Sequence, residues 1–138
     1  MKKSEFNKVL KDAADRGVAV DLHGADLAGL DLRDNDLRGA DLSGAVLDSA
    51  KLMRSVLAGA SLRGARLQWA DLTDADLRGA DLSGATFFGA DLRGALLDDA
   101  VLNETNFESA NLEDAARADG DMTGAVLKKE IWIQDEPM

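Results

Sequence analysis

The chain has 138 residues, a formal net charge of −10 and no cysteine, which excludes disulfides, thiolate metal sites and the basic stripe that nucleic-acid phosphates require. Its hydrophobic share is 46% with only 4% aromatic residues, and no apolar run reaches the length of a signal peptide or a membrane span. One domain is expected, in a soluble cytoplasmic protein without membrane association or direct nucleic-acid binding.

Residues 3–16 carry Phe6, Val9, Leu10 and Ala13 at helical spacing, with Ser4 as the expected N-cap and Gly17 as the C-terminal stop. Segment 1–17 therefore reads as an amphipathic helix laid over whatever follows and capping it; a partner-binding helix is the alternative.

From there the chain keeps a beat of five, densest in ADLTDADLRGADLSGATFFGADLRGALL over 70–97. Taking the central residue as i, the phase runs unbroken from Leu22 to Leu127 over 22 repeats, with Leu at i in 18 and Ala at i−2 in 16. The exceptions at i are Phe87, Phe107, Arg117 and Met122. A period of five suits neither a helix nor an alternating strand, so the chain must turn once per repeat. A unit this short cannot bury its own side chains, which leaves the stacking of successive coils as the way to make a core.

The ADLxG motif, sustained over about four-fifths of the chain, resembles the pentapeptide-repeat family. The resemblance implies an all-β fold, a right-handed quadrilateral parallel β-helix of about 5.5 coils over 18–127, with i and i−2 inward and i−1, i+1 and i+2 outward. Position i+2 is Gly in 11 repeats, and glycine accepts the positive φ at the third place of a type II turn. Asp34, Arg54, Asp74 and Asp114 recur there on one side, where a different turn is expected.

Along the coils, Asn35 is an inward polar residue in need of backbone partners, and His23 is an outward histidine with no second histidine to make a ligand set. Lys51, Arg54, Arg63 and Arg66 fall in a stretch without acids and form a weakly basic belt. Trp69 at i+2 and Phe88 at i+1 lie 19 residues apart, hence on one side of neighbouring coils. Either they form a contact surface for a partner, or each folds flat over its neighbour's turn. Residues 98–121 hold Asp98, Asp99, Glu104, Glu108, Glu113, Asp114, Asp119 and Asp121 against Arg117 alone, a sum of −7. Arg117 falls at an inward phase, where an unpaired guanidinium is costly, so a bulge is expected there. In segment 128–138, Ile131, Trp132 and Ile133 read as a plug of the last coil or a dimer contact, leaving the chain a monomer or a C-terminal homodimer.

A filled rod offers no concave, partly dry pocket, and no calcium-loop pattern is present. No enzymatic activity, cofactor or metal is expected. The leading expectation is a scaffold whose outward faces bind a protein partner. The alternative comes from the resemblance: some acidic members of the family mimic DNA and bind a type II topoisomerase, either DNA gyrase or topoisomerase IV.

Overall fold

The computed structural model describes residues 1–115 and Ala125. The sequence features at Arg117, Asp119, Asp121, Met122, Leu127 and Ile131 to Ile133 lie outside the described residues.

The helix forms where the apolar spacing places it, as α1 over Lys3–Arg16. Its N-cap is Lys2, not Ser4. The reason is local: Glu5 sits at the third helical position and its carboxylate accepts the Lys2 backbone N–H at 3.4 Å, which starts the helix two residues earlier and leaves Ser4 inside the first turn. Gly17 closes α1 in the left-handed region at φ 64, so that Val18 N–H reaches back to Ala13 O at 3.0 Å. Phe6 is fully buried and Ala13 nearly so, with Val9 and Leu10 packed against the same core. Lys3 Nζ donates to Asp31 O in the first coil.

Beyond α1, parallel bridges join residues 20 apart, from Asp21 with Asp41 through to Asp91 with Asn111. Leu22 N–H donates to Asp41 O at 2.8 Å and Asp41 N–H donates to Val20 O at 2.8 Å, and this exchange repeats down the stack. Four five-residue sides thus make one coil, and each residue sits on its counterpart in the next. The described residues at i from Leu22 to Leu112 are all at most 6% exposed. Most residues at i−2 join them, because alanine is small enough to let four walls close around one axis. Phe87 and Phe107 stack along that axis with centroids 5.1 Å apart. Ser55 and Thr105 are buried at i−2 and donate their hydroxyls to Leu52 O and Leu82 O, each at 2.7 Å. Asn35 is only half-buried, and its amide donates to Arg33 O at 3.4 Å.

The corners are alike. In a typical corner Ala25 N–H donates to Leu22 O at 3.0 Å and Gly24, at the third place, has φ 67; with positive φ at that place alone, the turn is type II. The different turn expected at Asp34, Arg54, Asp74 and Asp114 is not seen in their φ values, 61, 57, 57 and 58, although at Asp34 the closing bond from Asn35 N–H to Leu32 O is absent. The same turn bond closes at Ser55, Ala75 and Ala115, at 3.1, 3.0 and 3.0 Å. Bonding on both sides of the stack over-determines the backbone and holds side-chain-bearing residues where glycine would be unstrained.

Candidate functional site

Outward aspartates at i−1 first serve the fold. Asp31, Asp36, Asp76 and Asp91 each accept the backbone N–H two residues on, and each is clasped by the arginine at that position; Arg38 gives 2.9 Å from Nε and 2.7 Å from a terminal nitrogen to Asp36. Asp41, Asp71 and Asp81 instead accept the hydroxyls of Ser43, Thr73 and Ser83. The arginine bonds hold the Asp31, Asp36, Asp76 and Asp91 carboxyls below the usual carboxylate range. Burial pushes Asp81 the other way, but bonds from Ser83 and Arg63 outweigh it. These groups are locked as anions in turns, which suits them to structure and not to proton transfer.

The three arginines of the basic belt are paired, whereas Lys51 makes no ion pair among the described residues. Arg54 pairs with Asp34 at 2.8 Å, Arg63 with Asp81 at 2.9 Å and Arg66 with Asp48 at 2.6 Å. Their partners lie 18 to 20 residues away, one coil off, so a local charge window misses them. By contrast Asp98, Asp99, Glu104, Glu113 and Asp114 make no ion pair among the described residues. Asp98 is half-buried and its Oδ1 lacks a hydrogen-bond partner there, whereas Asp99, Glu104, Glu113 and Asp114 are exposed. Glu108 is half-buried and its N–H is held by Asn106 Oδ1 at 2.8 Å. The negative field of the described coils therefore concentrates at 98–114, while upstream carboxylates are largely paired.

One side departs from this scheme. Between Asp26 and Asn106, its i−1 positions are Val46, Arg66 and Thr86, which leave these three middle coils no aspartate at i−1 to hold the turn. A ladder between coils replaces it: Gln68 N–H donates to Asp48 Oδ1 at 3.0 Å, and Phe88 N–H donates to Gln68 Oε1 at 3.1 Å. Trp69 and Phe88 stand on that side and meet edge to face, with centroids 5.4 Å apart and planes at 86°. Trp69 lies over the turn of the next coil. A Cβ added to Gly89 would come within 2.8 Å of Trp69 Cδ2 and closer still to Cε3 and Cζ3. Yet Trp69 stays 63% exposed. It also holds φ 60, a left-handed conformation that costs a bulky residue about 1 to 3 kcal/mol. The ring folds over its neighbour's turn, as one of the two sequence alternatives has it, and still presents an exposed face.

His23 is exposed, and no group of three His, Asp or Glu able to hold a metal occurs among the described residues. No helix there is long and apolar enough to cross a membrane. A depression between α1 and the first coil, lined by Leu10, Ala14, Val18 and Arg38 among others, is open to solvent.

Fold and surface together define a class: a solenoid with a solid axis whose chemistry lies on its outer walls. The model of pentapeptide repeats matches residues 18–52, 50–87 and 87–128, and the chain belongs to the pentapeptide-repeat family, whose fold is a right-handed quadrilateral β-helix. A pentapeptide repeat protein of the Arabidopsis thaliana thylakoid lumen is 31% identical, with 82% of this chain and 75% of that one covered and a TM-score of 0.55. Rfr23 of the cyanobacterium Cyanothece is 26% identical over 90% of this chain and 96% of its own, with a TM-score of 0.61. QnrB1, a plasmid-mediated fluoroquinolone resistance protein, is 21% identical over 80% of each chain. Its TM-score of 0.20 carries no functional argument. No curated protein matches the sequence significantly.

The sequence singled out Trp69 and Phe88 but missed Gly89 and Gln68. The signal for both was available as a spacing of 20: Gly89 falls directly after Trp69 in its column, and Gln68 directly before Phe88.

Proposed function

We propose that this protein is a non-enzymatic interaction module, with a cytoplasmic site of action, that binds a protein partner through the wall bearing Trp69 and Phe88. The observation that carries the reading is the 63% exposure of a tryptophan fixed over Gly89 in a left-handed turn. Fixed aromatic side chains lose little entropy on binding and supply a large contact area, which is why they dominate interface energetics. Ser49 and Ser109 occupy the same column, one coil before Trp69 and two coils after it, with φ 58 and 60, so Trp69→Ser retains a residue this turn accepts. The test is affinity capture from host extract with the wild-type chain and the Trp69→Ser/Phe88→Ser variant, with captured proteins identified by mass. A protein retained by the first and lost by the second supports the reading. Identical capture by the two refutes it.

A second reading is favoured by Asp98, Asp99, Glu104, Glu113 and Asp114, which make no ion pair among the described residues: modulation of a type II topoisomerase by an acidic end that imitates DNA. The pairing of Arg54, Arg63 and Arg66 with carboxylates lowers the repulsion that a basic belt would meet in a DNA channel. In a gyrase supercoiling assay, inhibition should weaken with salt and vanish when Glu104, Glu113 and Asp114 become neutral. No inhibition at low salt discards it.

A further inference from the structure

We infer that the coil formed by residues 96–115 is a conformational switch: it opens as one unit while the coils below it stay wound, so that the rod has a long and a short state. The inference starts from where backbone strain falls. All four corners of this coil, at Asp99, Glu104, Ser109 and Asp114, hold side-chain-bearing residues in the left-handed region, with φ 61, 57, 60 and 58. The coil beneath it, 76–95, has glycine at every corner, at Gly79, Gly84, Gly89 and Gly94. Coils 36–55 and 56–75 have two such residues each, Ser49 and Arg54 in one and Trp69 and Asp74 in the other. An L residue is disfavoured in this region where glycine is not. Coil 96–115 therefore carries the most corner strain and rests on a coil that carries none.

Its charges act in the same direction. Asp98, Asp99, Glu104, Glu113 and Asp114 make no ion pair among the described residues, whereas the coils below hold carboxylates with arginines, as Arg78 holds Asp76 and Arg54 holds Asp34. On two sides of the coil Leu96 and Val101 stand at i−1 and offer no acceptor to the turn N–H two residues on. Asp98 Oδ1 is buried without a hydrogen-bond partner among the described residues, a further cost of the closed state.

The stack is what holds the strained corners. Leu82, Phe87 and Leu92 N–H donate to Val101, Asn106 and Asn111 O at 2.8 Å each, and Val101, Asn106 and Asn111 N–H donate back to Ala80, Ala85 and Ala90 O at 2.9 Å each. Release of one side removes the constraint that keeps its corner left-handed, and the relaxed corner frees the next side, so the coil opens together. Opening also disperses like charges, so screening cations favour the long state. In the short state the carboxylates at 98–114 no longer form an ordered array, and a partner that binds this array meets it on the long state alone.

The experiment is hydrogen exchange of the full chain, followed amide by amide by NMR. The six amides that join 76–95 to 96–115, those of Leu82, Phe87, Leu92, Val101, Asn106 and Asn111, should share one opening free energy. They should exchange about tenfold or more faster than those of Leu42, Leu47 and Leu52, which join 36–55 to 56–75. Ser109→Gly removes strain without changing charge and should slow all six by about fivefold. Ser49→Gly, the same change two coils earlier than Gly89, should leave the six unchanged. Raising sodium chloride from about 0.02 to 0.5 M should slow them relative to the other three, and Glu104→Gln, which removes charge but keeps a side chain in the corner, should blunt that response. Six amides that exchange no faster than Leu42, Leu47 and Leu52 overturn the inference, as do rates unchanged by Ser109→Gly or a ratio indifferent to salt. Opening free energies that differ from amide to amide describe a fraying end and overturn it as well.

Discussion

Replacing Gly89 with alanine tests how firmly the Trp69 platform is held. Gly89 has φ 67 and Gly84 has φ 69, so an alanine at either must adopt the left-handed region, at about 1 to 2 kcal/mol. Their surroundings differ. A Cβ at Gly84 meets nothing nearer than Gly64 N at 3.8 Å, whereas at Gly89 it strikes the indole. Because Trp69 is on the surface, the ring can swing away and forfeit its edge contact with Phe88, which bounds the excess at about 0.5 to 1.5 kcal/mol. Gly89→Ala should therefore destabilise by about 1.5 to 3.5 kcal/mol, against about 1 to 2 for Gly84→Ala. The assay is urea unfolding followed by circular dichroism, with Trp69 emission read separately in the Trp132→Phe background. In a Trp69→Ser background the excess should disappear, completing a double-mutant cycle. Equal costs at Gly84 and Gly89 in the wild type, or an excess that survives Trp69→Ser, would refute the account of a ring seated on a glycine.

Other consequences are open to direct measurement. Thr86 Oγ1 is buried without a hydrogen-bond partner among the described residues, so Thr86→Val should stabilise by about 1 kcal/mol; a loss of stability would reveal a partner for that hydroxyl. Phe6 is fully buried between α1 and the first coil, and Phe6→Ala should cost about 3 kcal/mol. Deleting residues 1–17 should lower the melting temperature or promote end-to-end association through uncovered coil edges, and a monomer with unchanged melting would show that α1 does not cap. The carboxyls paired with arginine have folded pKa values below their unfolded ones. Their contribution to stability is thus fully present above about pH 4 and is lost as pH falls through the folded values. Urea midpoints should hold between about pH 7 and 5 and drop below about 4; paired carboxyls that add stability on acidification would contradict this sign.

The axis was legible because burial and phase are one signal: Leu at i and Ala at i−2 could face inward only if the chain turned every fifth residue. The walls were less legible. Asp34, Arg54, Asp74 and Trp69 stand where glycine was the expected occupant, since local preference argues against φ near 60 and only the stacked backbone bonds override it. In the belt of Lys51, Arg54, Arg63 and Arg66 a count of charge along the chain misses the partners of the three arginines, since Asp34, Asp48 and Asp81 reach them from adjacent coils. The Trp69 and Phe88 pair was found by applying that coil spacing to two conspicuous residues. Gly89 and Gln68 required it to be applied to inconspicuous ones.

The bridges between residues 20 apart also govern which insertions and deletions the molecule can absorb. Loss of a single residue throws every later Leu out of the axis. Loss of five keeps the axis filled but rotates all later surface residues by a quarter turn, and a deletion of five between Trp69 and Phe88 would carry Phe88 and Gly89 onto a different wall from Trp69. Only a change of 20 restores both the interior and the vertical columns. Core and surface thus obey two separate arithmetic rules, so length variation in steps of five can reshuffle what the rod displays while leaving what holds it together intact.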